Sequence, residues 1–125
     1  MTFQEIKEIL DAQVIIAPQD PNLDLKMACG CDLMSDVLAS IQPHAVLLTG
    51  LCNPQVVRTA MMADVLAIIL VRGKMPPLET IRLAEEEHIP LIITPYGMFE
   101  ACGILYQAGL SCLERPVSDQ DCFAS

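Results

Sequence analysis

Cys29 and Cys31 bracket Gly30, and Asp32, Ser35 and Asp36 follow within five residues. Residues of these types at this spacing suit a soft-metal nest, a redox pair, or the junction of a strand with a helix. If residues 25–30 (LKMACG) are extended, the two thiols fall on one face, roughly 6.5–7 Å apart by the usual strand rise. A tetrahedral metal site needs two further ligands, and Cys52, Cys102, His44 and His88 are those left to offer them. Cys52, at the end of the next apolar run, makes Cys29, Cys31 and Cys52 the minority metal or redox set. The favoured reading is that these cysteines are small buried apolar residues, with no metal and no cofactor. Asp32 is then placed as the N-cap of a helix carrying Met34, Val37, Leu38 and Ile41, and Gly30 suits a close backbone approach or a bulge.

A second set of residues gathers where apolar runs end: Thr49, Gly50 and Asn53; Arg72, Gly73 and Lys74; Thr94, Tyr96 and Gly97. Their positions follow from the elements before them. AVLLTG (45–50), VLAIILV (65–71) and PLIIT (90–94) are near-continuous apolar strands. Helical stretches alternate with them at 53–64, 76–88 and 97–109. This succession indicates an α/β fold with a mostly parallel sheet of about five strands and helices on both faces. VLAIILV is expected to be the most buried strand. Upstream, FQEIKEILD places Phe3, Ile6, Ile9 and Leu10 on one stripe of a helix, and QVIIAP and LKMACG supply two more strands. Asn53-Pro54 has the form of a helix start and Gly109 that of a helix stop.

In an open α/β sheet the ligand crevice lies at the carboxyl ends of the strands, where helix N-termini point free amides outward. Asp32, Ser35, Thr49, Gly50, Asn53, Arg72, Lys74 and Tyr96 are therefore the candidate ligand-binding residues, for a small anion such as a nucleotide. Arg72 and Lys74 weigh most because basic residues are scarce. The plainer alternative is that the glycines and prolines make tight turns and the charges are solvated. No GxxxxGK[ST] or GxGxxG loop is present. His44 and His88 each precede a strand, so a Ser or Cys nucleophile lacks its usual base. No catalytic residue is assigned.

Composition narrows the partners. Seven basic against sixteen acidic side chains leave a net charge of −9, which disfavours nucleic acid and anionic membranes. At 125 residues the chain fits one domain, here residues 1–110, followed by a polar tail at 111–125. Hydrophobic residues make up 53% of the chain, which points to apolar surface covered by another chain, most simply in a homodimer. The helix at 97–109 has almost no polar face, implying burial on several sides, and it is the nominated dimer surface. No run of about 18 apolar residues and no signal-like start is seen. The expectation is a cytoplasmic protein with reduced thiols.

The runs LLTGLCNPQVVRTAMMADVLAIILVRGKMP and MFEACGILY resemble the small stand-alone DRTGG-domain proteins, such as those encoded beside iron-only hydrogenases and signalling genes in anaerobic bacteria. The resemblance spans roughly residues 1–113. It extends to the domain within phosphotransacetylases and some inorganic pyrophosphatases, and more distantly to the N-terminal domain of HPr kinase. It implies a non-catalytic α/β module that dimerises and relays regulation through a protein partner yet to be identified. The chain departs from the eponymous pattern: Leu51, Cys52 and Asn53 stand for Asp-Arg-Thr, and Arg72, Gly73 and Lys74 for Thr-Gly-Gly. The expected function is thus a regulatory or scaffolding homodimer with an anion site. A cysteine-based metal or redox sensor ranks second, and a small enzyme acting on a phosphorylated metabolite ranks third.

Overall fold

The computed structural model describes residues 1–112. Along them run α1 (Phe3–Ile9), β1 (Gln13–Ile16), β2 (Ala28–Gly30), α2 (Met34–Ser40), β3 (Val46–Thr49), α3 (Pro54–Met62), β4 (Ala67–Leu70), α4 (Leu78–Glu86), β5 (Leu91–Ile93) and α5 (Met98–Gln107). The strands form one sheet in the order β1-β5-β4-β3-β2. β2 to β5 are parallel, and β1 closes one edge antiparallel to β5.

Why the strands are apolar at nearly every position follows from the register. Cys29, Leu47, Ile68 and Leu91 form one row across the sheet, and Gly30, Leu48, Ile69 and Ile92 form the next. Successive rows point to opposite faces, so each face needs its own cover. The first row packs with Val37, Ile41, Val56, Val57, Ala60 and Ala84 from α2, α3 and α4. The second packs with Phe3, Ile6, Leu10, Ala101 and Leu105 from α1 and α5. β4, the middle strand, is buried along its whole length, as the VLAIILV run leads one to expect.

Four of the helices end in the same way. Asp11, Asp64, His88 and Gly109 have positive φ (49°, 60°, 57° and 107°) immediately after the helix cap. In each case the next amide bonds back to the helix: Ala12 to Lys7 O, Val65 to Ala60 O, Ile89 to Ala84 O and Leu110 to Leu105 O, at 2.9–3.1 Å. This is the Schellman arrangement, in which a left-handed residue reverses the chain and an apolar residue follows into the core. Only Gly109 adopts that conformation without steric cost. Asp11 is exposed, so Asp11→Gly is expected to raise stability by roughly 0.5–1 kcal/mol. Urea unfolding should show this as a higher midpoint at unchanged slope.

Several expectations are corrected. The strand at LKMACG is confined to Ala28–Gly30, because Leu25 instead turns inward and is fully buried beneath α1 and α5. Asp32 is not the N-cap of α2: Leu33 holds that position, without a side-chain bond, and Asp32 is engaged elsewhere. α5 is not enclosed on several sides, since Ala101 and Leu105 are buried while Phe99 and Tyr106 are 94% and 72% exposed. A single sheet face covers only one side of a helix. Ser111, assigned to the tail, pairs with Met27 beside β2, with Ala28 N donating to Ser111 O at 2.9 Å. Most of the predicted tail, from 113 onward, lies outside the described residues. No described helix is long and apolar enough to cross a membrane.

Candidate functional site

The parallel strands bring the loops after β2, β3, β4 and β5 to one end of the sheet. Each loop is tied to its neighbour by a bond that crosses strands. Cys31 N donates to Leu48 O at 3.0 Å, Val71 N to Thr49 O at 3.1 Å, and Thr94 N to Leu70 O at 2.9 Å. The side chains then add a second layer of ties. Asp32 Oδ1 accepts from Gly50 N at 2.7 Å and from Thr49 Oγ1 at 3.1 Å. Thr49 Oγ1 in turn accepts from Leu51 N at 3.2 Å. A carboxylate receiving a backbone amide is among the stronger uncoupled hydrogen bonds a protein makes. Asp32 therefore locks the β2 loop to the β3 loop.

The β4 loop is shaped around Arg72. Arg72 and Gly73 both have positive φ, 64° and 66°. Their amides donate to Tyr96 O and Thr94 O, each at 2.8 Å. A non-glycine residue is disfavoured in this region, and here two inter-loop hydrogen bonds hold it there. The consequence concerns the side chain. The Arg72 guanidinium turns back over Gly50, occupying the space a β-carbon there would need. Gly50 is buried while Arg72 is exposed, so the glycine works as a floor for the guanidinium. Arg72 forms no ion pair among the described residues.

Further positions fall around this centre. Asn53 is the N-cap of α3 with Pro54 behind it, as expected, yet its side chain makes no capping bond. Asn53 lies at the same end of the sheet as Arg72. Lys74 is exposed just past Gly73, and Ser35 is exposed in the first turn of α2. Tyr96 is half-buried and participates through its backbone, with its N donating to Thr94 Oγ1 at 3.3 Å. Asp32, Thr49, Gly50 and Arg72 are thus in direct contact or one bond apart. Asn53, Ser35 and Lys74 share the end of the sheet without such ties. Thr80 was not singled out from the sequence: its Oγ1 donates to Cys52 O at 2.7 Å, pinning α4 to the β3 loop. The available signal was a polar residue on the apolar stripe of α4.

The other sequence candidates separate from this centre. Among the described residues no group of three or more His, Cys, Asp or Glu is disposed to hold a metal, so Cys29, Cys31 and Cys52 do not assemble as ligands. All three pack against the core layer under α2, α3 and α4. The close approach expected at Gly30 is present: a β-carbon there would lie 2.7 Å from Cys102 Sγ and 2.9 Å from Met98 Sδ. Both histidines lie at the opposite, amino end of the sheet. His44 does have a carboxylate neighbour, with Nε2 3.9 Å from Asp64 Oδ2, and His88 Nδ1 is 3.2 Å from Gln19 Nε2.

With this geometry in hand, residues 5–108 match the family described as the DRTGG domain. The comparison with curated proteins gives no match. Among solved structures the chain is similar to the CBS and DRTGG domains of the regulatory region of a Clostridium perfringens pyrophosphatase, crystallised with its activator diadenosine tetraphosphate. The TM-score is 0.73 at 16% identity, covering 94% of this chain and 51% of that one. At such identity the likeness establishes the fold. This chain spans about half the length of the structure it resembles.

Proposed function

The chain belongs to the DRTGG-domain family, and from that premise we propose that it is a cytoplasmic, non-catalytic regulatory module, acting as a homodimer and binding a small anionic ligand, a nucleotide, at the carboxyl end of its sheet. One observation carries the ligand reading: Arg72 is held in a disfavoured backbone conformation, laid over Gly50, with no carboxylate paired to it among the described residues. A guanidinium so placed offers planar, two-pronged recognition of a phosphate. Lys74 adds charge, and the start of α3, where Asn53 makes no side-chain cap, adds the N–H of Gln55.

Asp32 bears on the ligand class. A site for bare phosphate would be weakened by a carboxylate close to the guanidinium's floor, whereas a nucleotide also carries ribose hydroxyls that such a carboxylate accepts. Both charges then have a role. The non-catalytic reading is supported by the placement of both histidines at the other end of the sheet from Arg72. The homodimer reading is supported by α5, where Phe99, Gly103 and Tyr106 are exposed along one stripe. Gly103 leaves an open notch between the two rings, with nothing near its β-carbon position.

The test is a thermal-shift screen of mono- and dinucleotides, diadenosine polyphosphates included. A ligand at a hundredfold its Kd should stabilise the fold by about 2.7 kcal/mol, on the order of 10 °C for a domain of this size. Arg72→Ala should abolish that shift while leaving the unliganded melting temperature nearly unchanged, because the side chain is exposed. A stabiliser equally effective on Arg72→Ala would refute the site.

A further inference from the structure

The amino end of the sheet, opposite the Arg72 centre, carries a surface of a different kind. A cleft of about 420 Å³ runs beneath the starts of β4 and β5, between the turn at Pro18–Asp20 and the ends of α3 and α4. A larger groove of about 680 Å³ lies between the ends of α2 and α3. Met61 and Asp64 line both, so cleft and groove adjoin along a single channel-like face. Its apolar ridge is made by Leu38, Met61 and Met62, which are 39%, 44% and 70% exposed.

The electrostatics of this channel are one-sided. Asp20, Asp64 and Glu87 line it together with His88, no lysine or arginine does, and His44 Nε2 lies 3.9 Å from Asp64 Oδ2. Helices α2, α3 and α4 all end here, and none has a basic residue in its last turn. Helix C-termini carry partial negative charge and ordinarily attract Lys or Arg in that turn. Three consecutive helices lack it, all at one end of a chain of net charge −9. A methionine ridge supplies adaptable apolar contact, the property that lets a surface accept an amphipathic helix.

We propose that this channel is the docking surface for a basic amphipathic segment of a protein partner, its apolar side on Met61, Met62 and Leu38 and its cationic side on Asp64, Glu87 and the ends of α3 and α4. The segment is recognised by paired features: apolar anchors at helical spacing and Lys or Arg flanking them. The surface lies at the other end of the sheet from the proposed nucleotide site, so each can fail alone.

The probe is a fluorescein-labelled synthetic helix of about 14 residues, leucines at i, i+3, i+4 and i+7 and lysines elsewhere, titrated with the full chain by anisotropy. Saturable micromolar binding is expected. Met61→Ser/Met62→Ser should weaken it by roughly tenfold or more with no change of charge, and Asp64→Asn/Glu87→Gln should weaken it and flatten its salt dependence. Asn is well suited to the positive φ of position 64. Arg72→Ala should bind like the parent. The proposal is overturned if no saturable binding occurs, if the serine double variant binds as tightly as the parent, or if spermidine displaces the peptide as well as unlabelled peptide does, since a simple polycation site would then suffice.

Discussion

Gly50→Ala should sharply weaken the nucleotide response that Arg72→Ala abolishes, while leaving the fold close to its original stability. The reasoning separates backbone from space. Gly50 does not have the positive φ that restricts a position to glycine, so alanine meets no backbone penalty there. What the new methyl meets is the Arg72 guanidinium, whose Cζ would lie 3.0 Å from it and one of whose terminal nitrogens would lie closer still. The far end of a long flexible side chain moves at little cost, and Arg72 is exposed, so the guanidinium swings outward instead of the loop reorganising. The expected change in unfolding free energy is under about 1 kcal/mol, against a loss in ligand affinity of at least roughly tenfold. Calorimetric titration of the ligand identified in the thermal screen, alongside urea unfolding, reads both quantities. Undiminished affinity in Gly50→Ala would show that the guanidinium's seat over Gly50 is irrelevant to binding.

The same contrast between local rule and distant partner explains what was legible in the sequence. The strands at β3, β4 and β5 and the helices between them could be read because burial on both faces demands unbroken apolar runs. β4 meets that demand in full. Helix starts were legible where the signal is local, as at Asn53-Pro54. Asp32 was misread because a helix-start rule looks only a few residues ahead, whereas the amide it captures, Gly50 N, is 18 residues away. Helix ends at Asp11, Asp64 and His88 were hidden for a related reason. A left-handed residue other than glycine is held there by the following apolar residue entering the core, which is a tertiary event. Of the candidate site, the convergence of the β2, β3, β4 and β5 loops at one end of the sheet followed from parallel topology. The seating of Arg72 over Gly50 did not, since neither residue type nor spacing specifies where a long side chain folds back.

α5 shows how far burial must be decided by structure, and truncating two large apolar side chains tests it. Ile69→Ala should destabilise the fold by about 2–5 kcal/mol, a large part of what a domain of this size possesses. Ile69 is 1% exposed in the central strand, between Leu48 and Ile92 in its row and beneath the layer of α1 and α5. Those neighbours belong to the sheet itself and relax little, so the cavity stays open. Phe99→Ala removes a larger side chain, yet Phe99 is 94% exposed, so the isolated chain loses almost nothing. Its effect should appear instead in the association equilibrium: light scattering at micromolar concentration should find the parent dimeric and Phe99→Ala shifted toward monomer. Ile69→Ala should lower the melting temperature at every concentration, whereas Phe99→Ala should lower it only by removing its concentration dependence. A parent chain that scatters as a monomer, or a Phe99→Ala variant that remains as dimeric as the parent, would remove α5 from the interface. The apolar stripe from Phe99 to Tyr106 would then be exposed surface without a second copy to cover it.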